Sequence, residues 1–167
     1  MSHLLRDPFF VRNVVYGLED SVISTTGVVV GVTFAGLPTP HILVAAIILI
    51  LVESSSMAFG AFLADKSFVN AENGQVGSLN LLLYALAMFL SYIVAGVVVI
   101  LPYLLRLKHD YAYTVAIAVV LLFGLVWFVE KDLPKATAMT MLGVVILIAT
   151  IVVGRYLETL TKKTTNE

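Results

Sequence analysis

The chain has no cysteine and little charge. Without cysteine there are no disulfides, no thiolate metal sites and no cysteine nucleophile. Charged residues make up 13% of the 167 positions, about half the ~25% of an average soluble domain. The formal net charge is −1, so there is no electrostatic case for nucleic acid or an anionic membrane surface as partner. H-E-x-x-H is absent, and Asp20 has no aspartyl-protease-like G-x-G-D setting. These absences argue against an enzyme. No polar stretch is long enough to form a second soluble domain, and no internal repeat stands out: G-V-V-V recurs at 27–30 and 96–99, too short to count.

What the chain has is apolar sequence. Hydrophobic residues reach 60% and the mean hydropathy is +1.01, which predicts an integral membrane protein. About 20 apolar residues are needed to cross a bilayer. Five such segments lie at 13–36, 41–64, 79–105, 111–129 and 136–157, so the expected fold is all-α: a single domain over 1–167 with five transmembrane helices. The runs are apolar on every side, whereas barrel strands would alternate. Gly36-Leu37-Pro38-Thr39-Pro40 predicts a tight turn. Residues 65–78 read as a polar loop, 106–110 and 130–135 as short connections, and the tail after Arg155 as a frayed polar end. The polar start and the long first run argue for a retained span rather than a cleaved signal.

Five spans put the termini on opposite sides of the membrane. Lys and Arg tie: Arg6, Arg12, Lys66, Lys131 and Lys135 on the N-terminal side, Arg106, Lys108, Arg155, Lys162 and Lys163 on the other. Arg6 and Arg12 precede the first span and no basic residue follows it in the turn, which favours a cytoplasmic N-terminus.

Two acids stand inside these runs, Asp20 in the first and Glu53 in the second. Each costs roughly 2.5–3.5 kcal/mol at bilayer depth, and in a multispan protein such residues mark ion or proton paths. Gly17, Asp20, Ser24, Gly27 and Gly31 recur at steps of three and four and form one helical stripe. Gly27 and Gly31 are a G-x-x-x-G pair, suited to close helix approach. If the partner is the same helix of a second copy, two Asp20 carboxylates meet and make a cation site. Glycine breaks in a membrane helix also permit kinks that free carbonyl oxygens for ions. Glu19 points about 100° away and reads as a snorkelling or interhelical group. Glu53, Met57 and Gly60 share a face of the second span. A soft thioether beside a hard carboxylate suits Fe²⁺ or Mn²⁺ better than Mg²⁺ or Ca²⁺. The bland alternatives are gap filling for Met57, an interhelical hydrogen bond for protonated Glu53, and bonds from Ser54, Ser55 and Ser56 back to their own helix.

At these stretches the chain resembles the vacuolar iron transporter family. Tyr16-Gly17-Leu18-Glu19-Asp20-Ser21 followed by Gly27-Val28-Val29-Val30-Gly31 is similar to the family's F-G-x-x-D-G and glycine-rich first span. Ser56-Met57-Ala58-Phe59-Gly60-Ala61-Phe62-Leu63 is similar to its S-M-A-x-G-E-Y-L. Leu101-Pro102-Tyr103 and Gly154-Arg155 match the ends of later spans. The resemblance implies five transmembrane helices in a homodimer. It further implies an ion path between the first spans and export of Fe²⁺ or Mn²⁺ from the cytosol coupled to protons. By motif, Asp20 and Met57 take path-lining roles; Glu53 is added from its depth and shared face.

The chain departs from the family at Ser21 and Ala61, where relatives carry glycine and glutamate. Residues 65–78, with only Asp65 and Glu72 acidic, are far too short for the metal-collecting domain that many members carry. The expected partners are divalent metal ions, protons, the lipid bilayer and a second copy, with no cofactor beyond the transported metal. The membrane would be the cell membrane in a prokaryote and a vacuolar-type membrane in a eukaryote. A non-transporting assembly partner and a proton or monovalent-cation channel remain alternatives. His41 and His109 fall together on the far side and read as interfacial, as His3 reads as irrelevant. Tyrosines and Trp127 near span ends read as an aromatic belt, and Pro102 as a bend at the end of span three.

Overall fold

The computed structural model describes residues 7–71 and 76–165. They form five helices: α1 (Pro8–Phe34), α2 (Thr39–Ala71), α3 (Ser78–Leu104), α4 (Asp110–Glu130) and α5 (Leu133–Thr165). Four of them, α2 to α5, are long and apolar enough to cross a membrane, so the chain is a multi-pass membrane protein. The fifth, α1, is 27 residues long, about 40 Å at helical rise, but carries Arg12, Glu19 and Asp20.

Several boundaries differ from the expected ones. The segment 65–78, expected as a polar loop, is helical through Ala71. Its helix continues because Asp65 and Val69, four apart, both turn inward and are buried. The stretch after Arg155, expected to fray, is helical to Thr165, and α5 begins at Leu133, inside the expected connection. His3, Arg6 and Glu72 lie outside the described residues, as do the side chains of Lys162 and Lys163.

The helix ends have local causes. Asp7 caps α1, accepting from the Phe9 and Phe10 amides at 2.9 and 3.5 Å with Pro8 at the first helical position. Gly36 takes φ 81° after α1, and the Gly36 and Leu37 amides bond back to Thr33 and Val32; glycine reaches this left-handed conformation without strain. Arg106 repeats the arrangement after α3 with φ 52°, its amide and that of Leu107 returning to Tyr103 and Pro102. Pro102 itself sits buried within the last turn of α3.

α1 is the centre of the bundle and touches all four other helices. Around it α2 packs on α3, α3 on α4 and α4 on α5, whereas α2 and α5 do not meet among the described residues. The ring of apolar helices is therefore open on one side. The core lies in layers: Val29 of α1 with Ile42, Ala46, Ile50, Tyr92 and Ile100, then Val22 with Ala95, Val99, Ala118, Leu122 and Leu147.

Three tyrosines of α3 hold α1 at three heights. Tyr84 donates to Asp7 at 2.8 Å. The Tyr92 hydroxyl shares a 2.7 Å bond with Ser24, and Ser21 donates to the Tyr92 carbonyl at 2.7 Å. Tyr103 shares a 2.6 Å bond with Thr33. All three rings are buried. Tyr111, Tyr113 and Trp127 are exposed, at 40, 51 and 45%.

On α5, Gly154 lies against the backbone of Gly31: a side chain there would collide with the Gly31 carbonyl oxygen. Lipid gives no hydrophobic drive for helices to associate, so such small-residue contacts set how closely they pack. Gly154→Leu is expected to lower unfolding stability by about 1–3 kcal/mol. Gly60→Ala, at an exposed position inside α2 with nothing within 4 Å, should instead raise it, by up to about 1 kcal/mol. Denaturation in mixed micelles followed by circular dichroism separates the two, and equal effects would refute the α1–α5 contact.

Candidate functional site

The opening between α2 and α5 exposes α1 along one side. Here a cleft of about 490 Å³ is lined by Ser24, Gly27 and Gly31 of α1, Glu53 of α2, and Thr150 and Gly154 of α5. Next to it, a hollow of about 260 Å³ is lined by Tyr16, Glu19, Asp20, Ile23 and Met57. Ile23 borders both. Asp20 and Met57 thus share one cavity wall, and Asp20 lies within electrostatic reach of Glu53 and Glu19.

The bundle produces this grouping through one antiparallel register. Arg12 pairs with Asp65. Eight residues further on each helix, Asp20 and Met57 line the hollow; four further, Ser24 and Glu53 line the cleft. Arg12 to Ser24 on one helix and Asp65 to Glu53 on the other thus span about 18 Å of the α1–α2 seam at helical rise.

Other singled-out residues fall differently. Gly17 does not face the opening. It is buried against α3, where a side chain would collide with Ser91. Gly27 and Gly31 are also buried, and their nearest neighbour across the helix is Thr150 of α5. The close approach that the stripe suggested is therefore made within the chain at these positions, while Asp20 and Ser24 remain half-exposed. Gly60 stands on the exposed surface of α2. Ser54 and Ser55 donate to the Leu51 carbonyl at 3.2 and 2.7 Å, as expected. His41 and His109 are exposed.

Glu19, read as a snorkelling or interhelical group about 100° from Asp20, lines the same hollow as Asp20. One residue was misjudged from sequence: Asp65, read as a loop acid, is helical and 1% exposed. It accepts from Arg12 and, at 2.9 Å, from Asn13. The i,i+4 spacing of Asp65 and Val69 was the available signal for its helical position.

Half-buried carboxylates beside a thioether can take a divalent cation, with the sulfur favouring a borderline first-row ion. Among the described residues no three His, Asp or Glu side chains of one chain are placed to hold a metal ion. The site is a partial ligand set facing an opening.

No curated protein and no solved structure matches the chain. The profile of the VIT family matches residues 11–84, a little under half of the sequence. That segment covers nearly all of α1, the whole of α2 and the start of α3, with Asp20, Glu53 and Met57 inside it. Over that segment the chain is similar to the VIT family.

Proposed function

We propose that the protein exports Fe²⁺ or Mn²⁺ from the cytosol in exchange for protons, through a path between the first helices of two copies. The observation that carries this reading is the placement of Asp20, Glu53 and Met57 along one open side of the bundle. In it, α1 crosses the membrane as a fifth span with a cytoplasmic N-terminus.

Exposed acids at the centre of a membrane bundle would be costly against lipid. A second copy set across the same opening, related by a twofold axis, replaces lipid with another Asp20, Glu53 and Met57. It also doubles the oxygen and sulfur donors available to one ion, which a single chain supplies incompletely. A metal entering from the Arg12 end meets Asp20 and Glu19 in the hollow, then Glu53 in the cleft. Metal and protons compete for the site, and protons from the far side release the metal.

Reconstituted in liposomes, the protein should take up Mn²⁺ at a rate that rises with an opposing proton gradient, and Asp20→Asn should lower that rate at least tenfold. Uptake indifferent to the gradient and retained in Asp20→Asn would sink the exchange mechanism. Conductance without metal dependence would favour a monovalent-cation channel.

The twofold arrangement has its own check, since the chain contains no cysteine. Val28 lines the cleft, whereas Val29 is 0% exposed. Val28→Cys is expected to cross-link two chains under mild oxidation in native membranes and Val29→Cys is not. Cross-linking of neither, with both thiols shown to be reduced and reactive after unfolding, would exclude this interface.

A further inference from the structure

The ion pair at one end of the α1–α2 seam has a use in the transport reading on which this inference rests. We propose that Asp65 is a charge-compensating residue at the mouth of the acid-lined hollow, cancelling the positive charge of Arg12 so that an approaching divalent cation is not repelled.

The geometry is specific. The Asp65 side chain is 1% exposed while that of Arg12 is 41% exposed. One carboxylate oxygen takes the Arg12 guanidinium and the other takes the Asn13 amide at 2.9 Å. Arg12 also lies over the Phe9 ring, 5.4 Å from its centroid. Its position is therefore fixed from two sides. Eight residues along α1 from Arg12 stands Asp20, and eight back along α2 from Asp65 stands Met57, a distance of about 12 Å at helical rise.

Cohesion alone does not call for this pair. Replacing a buried ion pair by apolar residues of similar volume is commonly neutral or stabilising. A lone Arg12, however, would act on a divalent ion through a partly low-dielectric medium about 12 Å away, enough to weaken binding by about three- to tenfold after screening. The other charges at this end do not make up the difference. Lys66 lies over the Phe62 ring at 5.9 Å, and Asp7 is engaged by Tyr84 and the α1 amides. Among the described charges at this end of the α1–α2 seam, Asp7, Arg12, Asp65 and Lys66 sum to zero; without Asp65 they sum to +1.

The two halves of the pair are predicted to act with opposite signs, which a purely structural role would not produce. In the Mn²⁺ liposome assay at low ionic strength, Asp65→Asn should raise KM about three- to tenfold with little change in kcat. Arg12→Gln should lower KM, and the double variant should return close to the parental value. Added salt should shrink both single-variant shifts. KM moving in the same direction in both variants, or not moving, overturns the proposal. If Asp65→Asn is not recovered from membranes, Arg12→Gln decides alone: a fall in KM supports compensation, and a rise or no change refutes it. Parental uptake abolished by Asp20→Asn, with same-sign shifts at the pair, would remove this inference while leaving the transport reading intact. No parental uptake would remove both.

Discussion

The structure depends on keeping a polar helix in the middle of an apolar bundle. α1 carries serines, threonines, Asn13 and three charged residues, yet it touches every other helix. In lipid its hydroxyls and carboxylates need protein partners, because hydrocarbon offers none. α3 supplies partners to Asp7, Ser24 and Thr33 through Tyr84, Tyr92 and Tyr103, spaced along its length so that one hydroxyl reaches the cap, one the middle and one the far end of α1. Each such bond contributes on the order of 0.6 kcal/mol in a membrane. Their larger effect is to fix the rotation of α1, since a turned helix would lose all three. With that rotation set, the Asp20 and Ser24 side of α1 points to the gap between α2 and α5.

That gap is a matter of helix count as well as packing. Four neighbours surround α1 in the order α2, α3, α4, α5, and among the described residues the two ends of the series do not meet. α5 comes close to α1 where Gly31 and Gly154 allow backbone against backbone, which pins one edge of the cleft. The other edge is α2, held by the Arg12–Asp65 pair at one end and by the short Gly36–Pro38 turn at the other. A helix fixed at both ends has a fixed register. This is why an acid, a thioether and a second acid from two helices arrive along one line.

Much of this was legible in sequence because membrane helices advertise themselves by length and hydropathy. Four apolar helices long enough to cross a membrane, a further helix before them, the tight turn after Phe34 and the serines bonding to their own helix follow from periodicity and composition alone. What sequence could not supply was which neighbour each face meets. Gly17, Gly27 and Gly31 look like one interface stripe, but an angular difference of a few tens of degrees sends Gly17 to α3 and the other two to α5. Asp65 was hidden by its polar surroundings, since D-K-S-F-V-N reads as loop until Val69 is seen to share its inward face. The tyrosine bonds were invisible because each joins residues more than sixty positions apart.

The extent of the family match has a physical counterpart in the division of labour along the chain. Residues 11–84 contain the pair Arg12–Asp65, the acids Glu19, Asp20 and Glu53, and Met57. In the transport reading proposed above, exchanging their side-chain chemistry would change what the seam binds. Most of α3, and α4 and α5 entirely, lie beyond it. Their outward faces, such as Leu90, Val94, Val120, Leu142 and Val145, are exposed apolar residues on which lipid imposes only hydropathy, so many sequences serve equally well. The demands that remain there are few and local: hydroxyls at Tyr92 and Tyr103, and a small residue at Gly154. A functional signal concentrated in the first two helices is therefore what a bundle should show when one seam carries the chemistry and the rest supports it.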